Sequence, residues 1–152
     1  MHFVSTRGQS APVSLSAAIA AGLAPDGGLY VPQQLPAARR FVAHDSLAKT
    51  ATQVLAPFFE GDALADALPG ICEQAFDFPL PLRPLARRGD HVLELFHGPT
   101  AAFKDVGARF LAAALARLRA GQVQPLTIVV ATSGDTGDRK STRLNSSHVE
   151  IS

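Results

Sequence analysis

Between His91 and Ala131 the chain passes through an extended run, a Gly-Pro turn, a helical pattern and a continuous β-branched run, an order that few architectures accept. His91 to Phe96 reads as a strand, Gly98 and Pro99 turn the chain, and a helical pattern begins near Phe103 and closes at Gly121. Val106, Phe110, Leu111, Ala114, Leu115 and Leu118 recur at helical spacing and give that helix one buried face, with Arg117 and Arg119 on the other. Leu126-Thr-Ile-Val-Val-Ala131 is then a run of the kind buried on both faces of a parallel sheet. Strand, helix and strand in this order predict a right-handed βαβ unit and an α/β chain.

Lys104 stands in the first turn of that helix. Unpaired N–H groups at a helix N-terminus carry partial positive charge, which disfavours an ammonium and attracts an anion such as phosphate. A lysine there is electrostatically misplaced unless its amine is used. Its main chemical use is nucleophilic, as a Schiff base with a carbonyl such as that of pyridoxal phosphate. Through Gly137 the chain has nine arginines and two lysines, Lys49 and Lys104, so positive surface charge is carried by arginine and a retained lysine is notable.

Directly after the second run comes Thr132-Ser-Gly-Asp-Thr-Gly137. Ligands of open α/β sheets bind at the carboxyl ends of strands, where small, hydroxylated and glycine residues free N–H and O–H groups to grip an anion. A glycine-rich turn that merely links strand to helix has the same composition. Neighbouring strands of one unit would set this loop beside Lys104 on one cleft, which favours the anion grip.

Ahead of this unit the pattern is different. Phe3 to Ser5 reads as a short strand, and Ser14 to Ala21 as a helix with Ser14 as N-cap and Gly22 closing it. Pro25-Asp-Gly-Gly28 turns into a brief strand that Pro32 ends. Two helices follow, about 46–55 and about 62–76, the second interrupted at Pro69. Pro79, Pro81 and Pro84 then make an extended connector, so that a small mixed α+β domain over 1–80 is expected to precede a second domain beginning at 81.

Composition narrows the function. Net charge is +1 with no basic stripe interleaved with aromatics, which argues against a nucleic-acid partner. No apolar run approaches the roughly 18 residues of a membrane span, nor does a charged region followed by an apolar one open the chain, so a cytoplasmic protein is expected. The single cysteine, Cys72, lies in an apolar helical pattern and reads as a small buried hydrophobe. The five histidines show no metal-ligand spacing, and no metal is expected.

His97-Gly-Pro-Thr-Ala-Ala-Phe-Lys-Asp105 and Ala131-Thr-Ser-Gly-Asp-Thr-Gly137 resemble the two signature segments of the threonine synthase family, fold-type II (tryptophan synthase β-like) enzymes that depend on pyridoxal 5'-phosphate. Pro25-Asp-Gly-Gly-Leu-Tyr-Val-Pro32 and Leu93-Glu-Leu-Phe96 are similar to segments of the same family's N-terminal part. The resemblance implies that Lys104 forms the Schiff base with the cofactor and later serves as general base. It implies that Thr132, Ser133, Gly134, Asp135 and Thr136 hold the substrate carboxylate, with Asp135 near the cofactor's 3' oxygen, and that Thr100, Phe103 and Asp105 support the lysine. The implied reaction is that of a carbon–oxygen lyase acting on phosphate, converting O-phospho-L-homoserine and water to L-threonine and phosphate.

The resemblance runs from Met1 to Gly137 and stops, with 81–137 as the start of the cofactor domain. Residues 138–152 contain no alanine, glycine or proline, and they read like the translation of a sequencing-library adapter. They are set apart from fold reasoning as a non-native tail. The chain is accordingly expected to be a truncated, inactive piece of its parent. Two other readings use the same residues: another fold-type II lyase such as a threonine or serine dehydratase, and a non-catalytic relative that grips a phosphometabolite.

Overall fold

A computed structural model describes residues 1–37, 40–42 and 44–122. The chain begins with strand β1 (Phe3–Ser5), helix α1 (Leu15–Ala21) and strand β2 (Tyr30–Pro32), as their sequence signals direct. β1 and β2 pair antiparallel, with Phe3 opposite Pro32 and Ser5 opposite Tyr30. Ser14 caps α1 by accepting a hydrogen bond from the Ala17 amide, and Gly22 closes it at φ 72°, a left-handed conformation that glycine adopts without a Cβ penalty.

The turn before β2 is built around Asp26. Its carboxylate accepts from Ser5 Oγ at 2.6 Å, from the Gly28 amide at 2.9 Å and from the Gln9 amide at 3.0 Å. Foremost the Ser5 hydroxyl, then the two amides, hold its pKa down from 3.8 to about 2 against the opposing effect of burial. Gly28 is required here, because a Cβ would collide with Ser5 Oγ.

Helix α2 (Leu47–Phe59) starts on a Ser46 cap and runs four residues past the boundary expected at Leu55. Pro57 lies inside its last turns and deletes one backbone donor there. Burial of Pro57 and Phe59 offsets that loss, so the proline does not stop the helix. Helix α3 (Leu68–Ala75) is shorter than the 62–76 pattern suggests. Pro69 sits in its first turn, where the missing N–H costs no helical bond, so the proline starts the helix instead of breaking it. Residues 62–67 form successive tight turns, including Ala65 N to Asp62 O at 3.0 Å and Ala67 N to Leu64 O at 3.1 Å.

Asp62 earns its place at a distance. It accepts hydrogen bonds from the Ser16 amide at 2.9 Å and from the Ser16 hydroxyl, so it serves the first turn of α1 from 46 residues away. Burial pushes its pKa up, but the bonds from Ser16 and from the Leu64 amide outweigh this and leave it lowered. The core lies under these helices. Leu68, Ile71 and Cys72 are fully buried, and Ala113 and Ala114 of helix α4 (Lys104–Leu118) join the same cluster as Phe3, Leu15 and Phe59. Phe110 packs edge-on to Phe59, with centroids 6.2 Å apart, and stacks on Phe76 at 6.0 Å. Complete burial of a side chain such as Ile71 contributes about 2–3 kcal/mol.

Between α3 and α4 stands a two-stranded hairpin, β3 (Leu82–Pro84) with β4 (His91–Leu93). It turns at Gly89, whose φ is 92°. Thus part of the proline-rich connector is itself a strand, and the strand expected over 91–96 ends at Leu93 and pairs back onto it. Pro84 is tolerated because a two-stranded ladder leaves outward-facing positions that need no donor. The second strand of the expected βαβ unit, Leu126 to Ala131, lies outside the described residues.

Candidate functional site around Lys104

The loop from Phe96 to Phe103 exists to deliver Lys104, and its shape comes from one carboxylate. Asp105 is only 2% exposed, in the first turn of α4, where negative charge suits the helix dipole. It accepts from the Thr100 amide at 2.9 Å and from Thr100 Oγ1 at 2.7 Å, which ties the loop back to the helix it precedes. The carboxylate lies against Gly98, where any Cβ would overlap it, so the glycine of the Gly-Pro turn is a requirement of packing.

The rest of the turn is tight. The Ala101 amide donates to Gly98 O at 3.0 Å, and Ala101 holds φ 53°, a left-handed conformation costly for a residue with a Cβ. Asp105 N to Ala102 O and Val106 N to Phe103 O, each 3.2 Å, wind the chain into α4. Phe103 at the N-cap position has helical angles and gives no side-chain cap. On the loop's other flank His97 Nε2 lies 2.6 Å from Glu94 Oε2, and the His97 ring stacks on Phe96 with centroids 4.7 Å apart.

Lys104 is the first residue of α4 and is half-buried. Its amine has no hydrogen-bond or ion-pair partner among the described residues. The arrangement is therefore a rigid loop, a helix N-terminus without a side-chain cap, and an amine left available: a group that can attack a carbonyl, beside a helix end that favours an anion. Such an amine fits a cofactor that offers it an aldehyde. Cavities of about 270 Å³ and about 740 Å³ open elsewhere, around Pro57 and Glu60, and contain none of this chemistry.

Of the residues singled out in the sequence, Lys104, Thr100, Phe103 and Asp105 are brought together by this loop. Thr132, Ser133, Gly134, Asp135 and Thr136 lie outside the described residues. One polar residue on α4 escapes sequence reasoning. Arg109 turns inward, donating from Nε to Ala75 O at 2.9 Å and from Nη2 to Gln74 O at 3.0 Å and Asp77 Oδ1 at 2.6 Å. The buried face is the expected one at Phe110, Ala114 and Leu118, widened to include Asp105 and Ala113, while Leu111 is exposed. Spacing alone carried the signal, since Asp105, Arg109 and Ala113 follow at four-residue intervals.

In class, then, the described residues are a small mixed α/β unit that feeds directly into a lysine-bearing helix. A family model described as the threonine synthase N terminus matches residues 2–76. The chain is similar to threonine synthase of Pseudomonas aeruginosa, 40% identical over 150 residues covering 90% of this chain and 31% of that protein. Among solved structures it is similar to pyridoxal-phosphate-bound threonine synthase from Brucella melitensis, with TM-score 0.76, 41% identity and coverage of 90% of this chain and 31% of that one. Threonine synthase from Escherichia coli superposes with TM-score 0.75 at 34% identity, covering 90% and 32%. The chain belongs to the threonine synthase family, and it spans about a third of the length of the relatives it matches.

Proposed function

We propose that this chain is the lysine-bearing N-terminal part of an enzyme that converts O-phospho-L-homoserine and water to L-threonine and phosphate. The observation that carries the reading is Lys104, half-buried at the start of α4 on a loop fixed by Asp105, with its amine unpartnered among the described residues. The Brucella relative with the same fold is a pyridoxal-phosphate-bound threonine synthase, which supports this cofactor as the group that Lys104 would hold.

When bound, pyridoxal 5'-phosphate supplies an electron sink for charge developing on the substrate carbon. The protein's part is positional and protonic. Lys104 would hold the cofactor through its amine, and the same amine would serve as the base that takes the proton from the substrate Cα. Thr132, Ser133, Gly134, Asp135 and Thr136 would grip the substrate carboxylate, and Asp135 would also serve the cofactor. In net terms the γ carbon–oxygen bond to phosphate breaks, Cβ gives up a proton and takes the hydroxyl of water, Cγ gains a proton, and the remaining proton of water leaves with the phosphate. In this reading residues 1–80 are the N-terminal domain, 81–137 begin a fold-type II cofactor domain, and 138–152 are foreign to the family. The protein is a cytoplasmic enzyme of amino-acid biosynthesis. Activity belongs to the longer protein, since this chain spans 31% of the Pseudomonas relative.

The test uses a polypeptide of the relatives' full length that carries this segment. Borohydride reduction after addition of pyridoxal 5'-phosphate leaves an adduct on Lys104 that is absent in Lys104→Ala, and O-phospho-L-homoserine yields threonine and phosphate in equal amounts. No adduct at Lys104 overturns the reading. An adduct with deamination of threonine or serine as the sole activity replaces the synthase with a dehydratase.

A further inference from the structure

We infer that Arg109 is a positioning residue for Lys104, fixing the lysine helix against the C-terminal end of α3. The inference rests on the reading of Lys104 as the cofactor lysine. Arg109 is five residues along α4 from Lys104, about 7.5 Å down the axis and about 140° around it, so it acts through the helix and not on the amine itself. Its side chain is 11% exposed, and its Nε and Nη2 donors go to the N-terminal helical layer.

Two of those bonds go to Gln74 O and Ala75 O, the last carbonyls of α3, which have no partner within their own helix. They form the negative end of the α3 dipole, where a guanidinium is favoured. Asp77 supplies a carboxylate at 2.6 Å, and the Phe78 ring lies 5.7 Å from the guanidinium carbon. The planar fork of arginine fixes direction as well as distance.

The apolar attachments of α4 are of a different kind. Ala113, Ala114 and Phe110 bury apolar surface, which is non-directional and tolerates a small slide or roll of the helix. The Asp105–Thr100 clamp ties the loop to α4 but not α4 to anything else. Arg109 therefore supplies directional placement of the lysine helix on the α3 end. A cofactor lysine must be held to within about 0.5 Å of its working position, and this contact can supply that constraint.

The test is made on the whole 152-residue chain with Arg109→Met, Arg109→Lys and Asp77→Asn. Amide hydrogen exchange over residues 100–106 is expected to accelerate about tenfold in Arg109→Met, while α1 and the β1–β2 pair keep wild-type rates. Arg109→Lys, which keeps the charge and loses the fork, should lie between. Unchanged exchange, or an equal rise everywhere, overturns the inference. If Arg109→Met does not fold, Arg109→Lys and Asp77→Asn decide it by the same local criterion, and wild-type exchange in both overturns it. Treatment with pyridoxal 5'-phosphate and borohydride, made on a polypeptide of the relatives' full length that carries this segment, adds a second readout, with Lys49 as an internal control. The Lys104-to-Lys49 adduct ratio should fall about fivefold in Arg109→Met. A full-length wild type without preference for Lys104 removes the cofactor reading, while the exchange rates still decide whether Arg109 places the helix.

Discussion

The helical layer and the hairpin–lysine segment are held together by opposite means. In the first, Ile71 and Cys72 are completely buried, and its acidic residues Asp26 and Asp62 are saturated with hydrogen bonds. In the second, both hairpin strands are exposed along their length, with Leu82 60%, Phe96 56% and Phe103 68% open to solvent. The Asp105–Thr100 clamp, the His97–Glu94 contact and Arg109 give that segment definite shape. An isolated two-stranded hairpin is marginal in water, and exposed apolar side chains gain nothing from it. Apolar burial thus orders one region and a few polar contacts order the other, so substitutions should hurt each in a different currency.

The largest contrast is in stability. Ile71→Ala opens a cavity in a site that cannot collapse and should lower unfolding free energy by about 2–5 kcal/mol, read from urea denaturation. Leu82→Ala should change it by less than about 0.5 kcal/mol, because little area is lost. Equal effects would break the comparison by showing the hairpin to be part of the core.

Next in size is Asp105→Ala. It strands the Thr100 amide and opens a gap beside Gly98, and a lost buried acceptor costs about 1–3 kcal/mol. The sharper measurement is local: exchange at Thr100 should rise well before α1 or α3 responds. Wild-type exchange at Thr100 would mean that the loop holds its form without the carboxylate.

What could be read beforehand, and what could not, follows the same division. β1, α1 and β2 were legible because local signals fix them: the Ser14 cap, Gly22 and the Pro25–Gly28 turn. Lys104 in the first turn of α4 was legible for the same reason, since a Gly-Pro turn must precede a helix that starts there. Pro69 misled, because a proline's cost depends on its place in the helix, and place is known only once the ends are fixed. Arg109, Asp62 and the pairing of β3 with β4 were not legible, because each depends on partners distant in sequence. An arginine on an amphipathic helix looks solvated until the carbonyls it reaches are in place.

Acid titration sharpens the account of the first region. Asp26 and Asp62 both have pKa values below their ordinary value of 3.8 in the folded chain, Asp26 at about 2. As pH falls the unfolded chain therefore binds protons first, so their contribution is complete above 3.8 and is lost as pH falls toward about 2. Unfolding followed from pH 5 downward should show stability falling across about two pH units, with the fall shallower in Asp26→Asn and in Asp62→Asn. An unchanged slope in both would mean that these carboxylates are as well solvated unfolded as folded.

The smallest effect is expected at the tip of the hairpin. Arg87 Nε and Asp90 Oδ2 are 3.8 Å apart, with side chains 86% and 49% exposed, and the Arg83–Glu94 pair at 3.7 Å is little better covered. Exposed ion pairs contribute about 0–1 kcal/mol, and salt screens them further. Arg87→Ala should accordingly shift unfolding by less than about 0.5 kcal/mol and leave exchange at residues 100–106 as it is. A loss above about 1 kcal/mol, abolished by added salt, would give the hairpin an electrostatic stability of its own. That outcome would make the second region self-supporting, and the lysine loop would then be framed from the hairpin side as firmly as Arg109 frames it from α3.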